Sequence, residues 1–374
     1  IRGKLAELSI DDWLDWSKGL AKTKNNSLLS SIDDVSMTID SLTAFDQKLS
    51  ALNYSVNKDG QGWRINLNSD QTKGTVYWPS DFNGPVPLDV NLDQLVLSLP
   101  KLKNDEKVKA ESAISLWPAM NINIASLIID DIHLGALELQ ASRHEQTWSI
   151  DMASLKSTVF DAGTIEKNTF WQQSSTGQKS NLALQIKSED LAGLLANFGY
   201  QQVIEAEGNQ LTLVLTWPDH PLAISKKNVR GKISVKVGKG KLNEIEPGAA
   251  GRIFGLMSIA ALPRRLSLDF SDLFSSGFTF DSIKGDFNLA NGRAVTDNLT
   301  LRGAPAKIEM TGPVDLVNQR YDQQVKVTPN VSSTLPLAGA VAGGPIGLGV
   351  GAALLVVDKL SGKLFGKNIV NLIS

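Results

Sequence analysis

Apolar and polar residues alternate along most of this chain in one short run after another. Trp63-Arg64-Ile65-Asn66-Leu67, Leu182-Ala183-Leu184-Gln185-Ile186, Leu211-Thr212-Leu213-Val214-Leu215-Thr216-Trp217 and Ile233-Ser234-Val235-Lys236-Val237 show the pattern. So do Phe278-Thr279-Phe280, Phe287-Asn288-Leu289, Leu299-Thr300-Leu301 and Ile308-Glu309-Met310. A period of two places every second side chain on one face, as in a strand whose sheet is dry on one side. Roughly fourteen such runs occur, joined by turns rich in Gly, Asn and Asp such as Lys58-Asp59-Gly60 and Asn291-Gly292, and antiparallel pairing is expected.

Helical patterns are few. One is expected from Ser9 to about Leu20 after a Ser-x-x-Asp cap, one from Ser188 to Phe198 ending at Gly199, and one from Pro247 to Ala261 ending before Pro263. None alternates with strands in the βαβ manner, which disfavours a doubly wound nucleotide-binding fold.

The chain also repeats itself. The stretch from Met37 to Ser69 aligns without gaps on Ile122 to Ser154, an offset of 85, with Ser41 meeting Ser126, Leu52 meeting Leu137 and Trp63 meeting Trp148. A Trp-Pro pair followed by Pro-Leu recurs at Trp78-Pro79 and Trp217-Pro218. The organisation expected is a β-repeat over 1–110, a second over 111–226 with a helix at 189–198, a β-region over 227–330 with a helix at 248–261, and a glycine-rich helical segment over 331–374.

So many one-sided strands pose a geometric problem, because a twisted open sheet rarely exceeds about ten strands without curling or splitting. Either two sheets bury their apolar faces on each other, or one long sheet curls into a trough whose dry face is covered by an apolar ligand. Periodicity alone does not separate the two.

Composition narrows the chemistry. Of the 374 residues 42% are apolar and 20% charged, with a formal net charge of -2, which describes a folded chain without the basic excess that nucleic acid demands. Cysteine is absent, which removes disulfides, thiolate metal sites and thiol nucleophiles. The chain opens on Ile1-Arg2-Gly3 with no signal-like segment, so it is expected to be part of something longer.

Candidate catalytic groups do not assemble. Asp130-Asp131-x-His133 lacks a third metal ligand, and His144-Glu145 sits in a hairpin position. Gly347-Leu348-Gly349-Val350-Gly351 has neither the preceding strand nor the later acid of a dinucleotide loop, and Gly362-Lys363 is followed by Leu364 rather than Ser or Thr. No enzyme, metal or cofactor is expected.

From Val327 to Val357 there is no charged residue, and glycine recurs at Gly339, Gly343, Gly347 and Gly351. The Gly344-Pro345 step breaks the run, so two helices are expected, near Leu335 to Ala342 and from about Pro345 to Phe365. Lys359, Lys363 and Lys367 form one stripe on the longer helix, with Leu354 and Leu355 off it, as in a helix that enters an apolar region and meets lipid headgroups at its cationic end. The glycine ladder gives a flat face for close backbone contact, either at a membrane or against the end of the sheet.

From Asn228 onward the residues resemble a known family. VRGKISVKVGKGKLNEIEP, GRIFGLMSIAALPRRLSLDFSDLF and FTFDSIKGDFNLANGRAVTDNLTLRG, with the glycine-rich end, are similar to the C-terminal part of the bacterial AsmA-like, bridge-type lipid-transfer family. WSIDMASLKST and NFGYQQVIEAEGNQLTLVLTWPDHPLAI resemble the repeats that precede that part. The resemblance implies an elongated, curled β-sheet with a hydrophobic groove, anchored to the inner membrane by a segment outside this chain. It implies conduction of phospholipids across the periplasm of a Gram-negative cell towards the outer membrane or a protein in it. On that reading Trp63, Ile65, Leu67, Trp148, Ile150, Leu211, Leu213, Leu215, Phe278 and Phe280 line the groove. Residues 339–367, including Gly339, Gly343, Gly347, Gly351, Leu354, Leu355, Lys359, Lys363, Phe365 and Lys367, dock at or gate the distal membrane. Each acyl methylene kept dry contributes roughly 0.8 kcal/mol, so no single lining residue is indispensable. The alternative is a passive envelope scaffold whose apolar faces are sandwich core.

Overall fold

The computed structural model describes residues 2–9, 34–44, 47–98, 117–165, 168–243, 278–304, 306–329 and 341–343. Every alternating run quoted above lies in a strand. The described residues divide into two compact units, the first holding 2–157 with Phe170–Ser174, the second 158–169 and 175–343.

In the first unit the strands are β1 (Arg2–Ser9), β2 (Asp34–Ala44), β3 (Gln47–Asp59), β4 (Gly62–Asn68), β5 (Thr72–Pro79), β6 (Leu88–Leu97), β7 (Met120–Ile129), β8 (Ile132–His144) and β9 (Thr147–Lys156). Each pairs with the next, and β11 (Thr169–Ser174) borders β9. The sheet is mixed and not wholly antiparallel, because β1–β2 and β6–β7 run parallel. Residues 10–33 and 98–119 separate those strands, and a parallel pair needs such a crossover of a dozen or more residues. Alternation is the same for both pairings, so the pattern could not reveal them.

The internal repeat is a repeat of structure. β2, β3 and β4 recur as β7, β8 and β9 at the offset of 85, with Ile39 facing Leu52 as Ile124 faces Leu137 and Lys58 facing Trp63 as Arg143 faces Trp148; the second copy differs by register shifts after Ile124 and at Gln140/Ala141. Each copy is led by a parallel strand, β1 or β6.

The second unit holds β10 (Asp161–Thr164), β12 (Gly177–Ser188), β14 (Asn209–Pro218), β15 (Arg230–Val237), β18 (Ser282–Ala290), β19 (Arg293–Arg302), β20 (Ala306–Asp315), β22 (Gln324–Pro329) and β23 (Val341–Gly343), paired in that order, with the short β21 (Arg320–Tyr321) also on β20. A second sheet of three strands, β13 (Ile204–Ala206), β16 (Gly240–Leu242) and β17 (Phe278–Phe280), accompanies it. Between β18 and β19 the Asn291-Gly292 turn has positive φ at both residues, 52° and 76°, as a tight I′ hairpin requires.

One α-helix stands among the described residues, α1 (Leu191–Asn197), with a single 3-10 turn at Pro221–Ala223, and α1 ends before Gly199 as expected. Its start differs. Ser188 closes β12 and donates its hydroxyl to the Val159 carbonyl at 2.7 Å, so Asp190 becomes the cap and accepts from the Gly193 N–H at 2.8 Å. Ser9, the expected cap of the first helix, closes β1, and residues 10–20, 247–261 and 345–365 lie outside the described residues. Of that expected over 335–342, Val341 and Ala342 instead extend as β23 beside β22, and 335–340 lie outside.

Candidate functional site

Register across the first unit collects apolar side chains into continuous rows. Val35, Val56, Ile65, Val76, Val90, Ile122, Leu139 and Ala153 face one another in turn from β2 to β9. Beside them runs Met37, Tyr54, Leu67, Gly74, Leu92, Ile124, Leu137 and Leu155. Every member of the first row is partly exposed, and in the second only Leu92 and Ile124 are buried. The other face is polar in the same order: Ser55, Asn66, Thr75, Asn91, Asn123, Glu138 and Ser154. Asn66 there donates to the Ser55 hydroxyl at 2.9 Å, and Arg64 pairs with Asp59 at 2.6 Å.

The register survives because glycine lets the strands bend. Gly74 has φ +140°, and a Cβ there would stand 2.3 Å from the Asn91 carbonyl oxygen, so only a residue without one fits where β5 shifts against β6. Within the rows the Tyr54 phenol is the ionisable group, and burial pushes its pKa above the ordinary tyrosine value. It stays neutral at physiological pH. The surface can therefore do one thing chemically: remove aliphatic groups from water.

Composition changes along the strands. At the end formed by the close of β3, β5 and β8 and the start of β4, β7 and β9 lie Trp63, Trp78, Trp117 and Trp148, with Trp171 of β11 against them. Trp117 meets Trp148 at 5.1 Å and Trp171 at 5.6 Å, edge to face, and Trp148 donates its indole N–H to the Pro118 carbonyl at 3.0 Å. Trp78 is 45% exposed and meets the Phe82 ring at 5.0 Å in a tilted arrangement. The opposite end is aliphatic and buried, with Leu52, Leu127, Ile129 and Ile132.

Of the residues expected to line a groove, Trp63, Ile65, Leu67 and Ile150 are partly exposed on this face, and Trp148 is buried in the tryptophan cluster. Those in the second unit have a different setting. Leu213 and Leu215, 4% exposed each, and Phe278 and Phe280, at 3% and 2%, belong to one packed cluster with Leu195 of α1, Ile233 and Phe287, and Leu211 packs against it. The three-stranded sheet and α1 contribute to that core, so these side chains are brought together by protein. Sequence reasoning missed Val56, Val76, Val90, Ile122 and Leu139, although Leu88-Asp89-Val90-Asn91-Leu92 carries the same alternation; it took Trp78 only as part of a repeated Trp-Pro pair and passed over Trp117 and Trp171. Gly343 lies in β23, and the other expected membrane-contact residues lie outside the described residues. No cluster of metal ligands and no helix long and apolar enough to cross a membrane occurs among the described residues.

These features define a β-protein that displays a broad, partly open apolar surface with a polar reverse. The chain belongs to the YhdP protein family, whose model matches residues 1–370. A curated relative, the intermembrane phospholipid transporter YhdP of Escherichia coli (strain K12), is 30% identical over 223 residues, 59% of this chain. The matched stretch is 17% of that transporter's length, so the chain corresponds to a small part of it. No solved structure matches the chain.

Proposed function

We propose that this chain is a section of a bridge that carries phospholipids between the inner and outer membranes, and that the apolar face of the first unit receives their acyl chains. The observation that carries the reading is the Val35-to-Ala153 row, apolar at all eight positions and partly exposed at each. Family membership and the relative's role as a phospholipid transporter support it. An unbroken strip suits cargo that slides, because burial energy scales with area and requires no fixed contact. The second unit, with its own packed core, serves as structure in this reading, and the glycine-rich residues 339–367 make the contact with the outer membrane.

The test is phosphorus analysis and mass spectrometry of lipid extracted from the purified chain, beside a Val76→Asp/Val90→Asp variant. Phospholipid held by the parent and lost from the variant, with the thermal transition of the variant retained, supports the reading. Lipid-free parent protein after isolation from membranes overturns it and leaves the scaffold.

A further inference from the structure

We infer that a lipid on the first unit has a fixed polarity: its phosphate lies at the tryptophan end of the strands and its tails run towards Leu52, Leu127 and Ile132. This rests on the reading above and adds a headgroup site to it. Three independent features of the unit agree. Five of the eight tryptophans of the chain, Trp63, Trp78, Trp117, Trp148 and Trp171, gather at that one end, and an indole suits the boundary between hydrocarbon and water because its body is apolar and its N–H is polar.

Cations stand beside them on the apolar face. Lys58 is directly opposite Trp63 across β3–β4, and Arg143 directly opposite Trp148 across β8–β9, the same position in both copies of the repeat. The Lys58 side chain is exposed and lies in the same alternating set as Val56 and Tyr54, so its ammonium reaches water from the apolar side of the sheet. Arg143 donates to the Asn83 side chain at 2.6 Å, which draws the loop bearing Phe82 and Asn83 to the same margin. Finally, the apolar face changes across the unit, with Trp63, Trp78 and Trp148 at this margin, the Val35-to-Ala153 row next to it, and the buried Leu52, Leu127, Ile129 and Ile132 towards the other end. A diacyl phosphate has the matching gradient, an anionic head at one end and pure hydrocarbon at the other. Its phosphate is attracted to the cations, its glycerol region meets the indoles, and its tails lie on the aliphatic rows. The opposite orientation would place a charged phosphate among Leu52, Leu127 and Ile132.

The experiment uses the chain loaded with phosphatidylglycerol brominated either at carbons 6 and 7 or at carbons 11 and 12, with tryptophan fluorescence as the readout and bound phosphorus measured in parallel. Trp78→Phe, a substitution at an exposed ring, isolates the signal from this margin by difference. Stronger quenching of the Trp78 component by the 6,7-bromines than by the 11,12-bromines is expected, together with a loss of bound phosphorus in Lys58→Glu. Equal quenching, or stronger quenching by the deeper bromines, with lipid bound, overturns the polarity and leaves the transport reading standing. Absence of bound phosphorus overturns both.

Discussion

Ile65 stands directly opposite Val76 across β4 and β5, and both side chains keep part of their surface open. In the second unit Ile233 stands opposite Phe287 in the same way, yet these are 3% and 1% exposed. The same alternating code therefore writes two kinds of surface, one closed by protein and one left partly uncovered.

An aspartate at Ile65 should sharply reduce the phospholipid retained by the purified chain, because a carboxylate interrupts the strip, whereas Ile65→Ala should leave retention within about twofold, since one truncated side chain removes only a few methylenes of contact. Lipid phosphorus per mole of protein is the measurement. An alanine variant as empty as the aspartate one would argue for a specific pocket in place of a strip.

Phe287→Ala should act on stability. The ring is 1% exposed, opposite Ile233 in the packed cluster that also holds Leu289 and Leu301, and removing it leaves a cavity that costs about 3–5 kcal/mol. A lowered thermal midpoint, with lipid retention below that midpoint intact, would place the second unit outside the lipid path; loss of lipid by a folded variant would place it inside.

Gly231→Ala should also destabilise, by more than about 1 kcal/mol, since the residue sits at φ +135° and a Cβ would approach the Val214 carbonyl oxygen to 2.0 Å. Chemical denaturation against the parent tests this, and an unchanged midpoint would mean that the β14–β15 ladder relaxes freely.

Acid should weaken the second unit through Asp286. A hydrogen bond from the Ser234 hydroxyl, 2.6 Å away, holds its carboxyl below the usual carboxylate range, with the Asn298 amide and Lys232, at 3.1 and 3.2 Å, adding to the effect. A depressed folded-state pKa gives stabilisation that is present above the unfolded-state pKa and fades as pH falls through the folded one. Ser234→Ala should therefore lower the thermal midpoint at neutral pH and converge on the parent in strong acid. A gap that persists at low pH would assign the effect to packing.

Much of this was legible in the sequence because a dry face imposes period two, and the repeat was visible because Trp63 and Trp148, or Leu52 and Leu137, occupy equivalent register positions. What escaped depends on partners distant in the chain. Leu213 and Phe280 read as groove residues since alternation does not report whether α1 and β13 pack over them. The parallel pairings leave no local trace, and Val341-Ala342 reads as the end of a helix yet borders β22 because an edge strand offers unpaired hydrogen-bonding groups. The apolar rows themselves needed the register, which shifts at Gly74 and at Gly135, before Val76 could be seen to face Val90 and Ile122 to face Leu139.

Since β2 to β4 and β7 to β9 repeat at an offset of 85 and pair alike at Ile39–Leu52 and Ile124–Leu137 and at Lys58–Trp63 and Arg143–Trp148, with a parallel strand leading each set, the surface is modular. A further copy spliced in after a leading strand would find neighbours of the same kind, and the apolar rows would continue across it, with shifts such as that at Gln140/Ala141 bringing the strands into step. Duplication can thus lengthen such a face in whole increments, which makes span a heritable trait adjustable independently of what the surface holds.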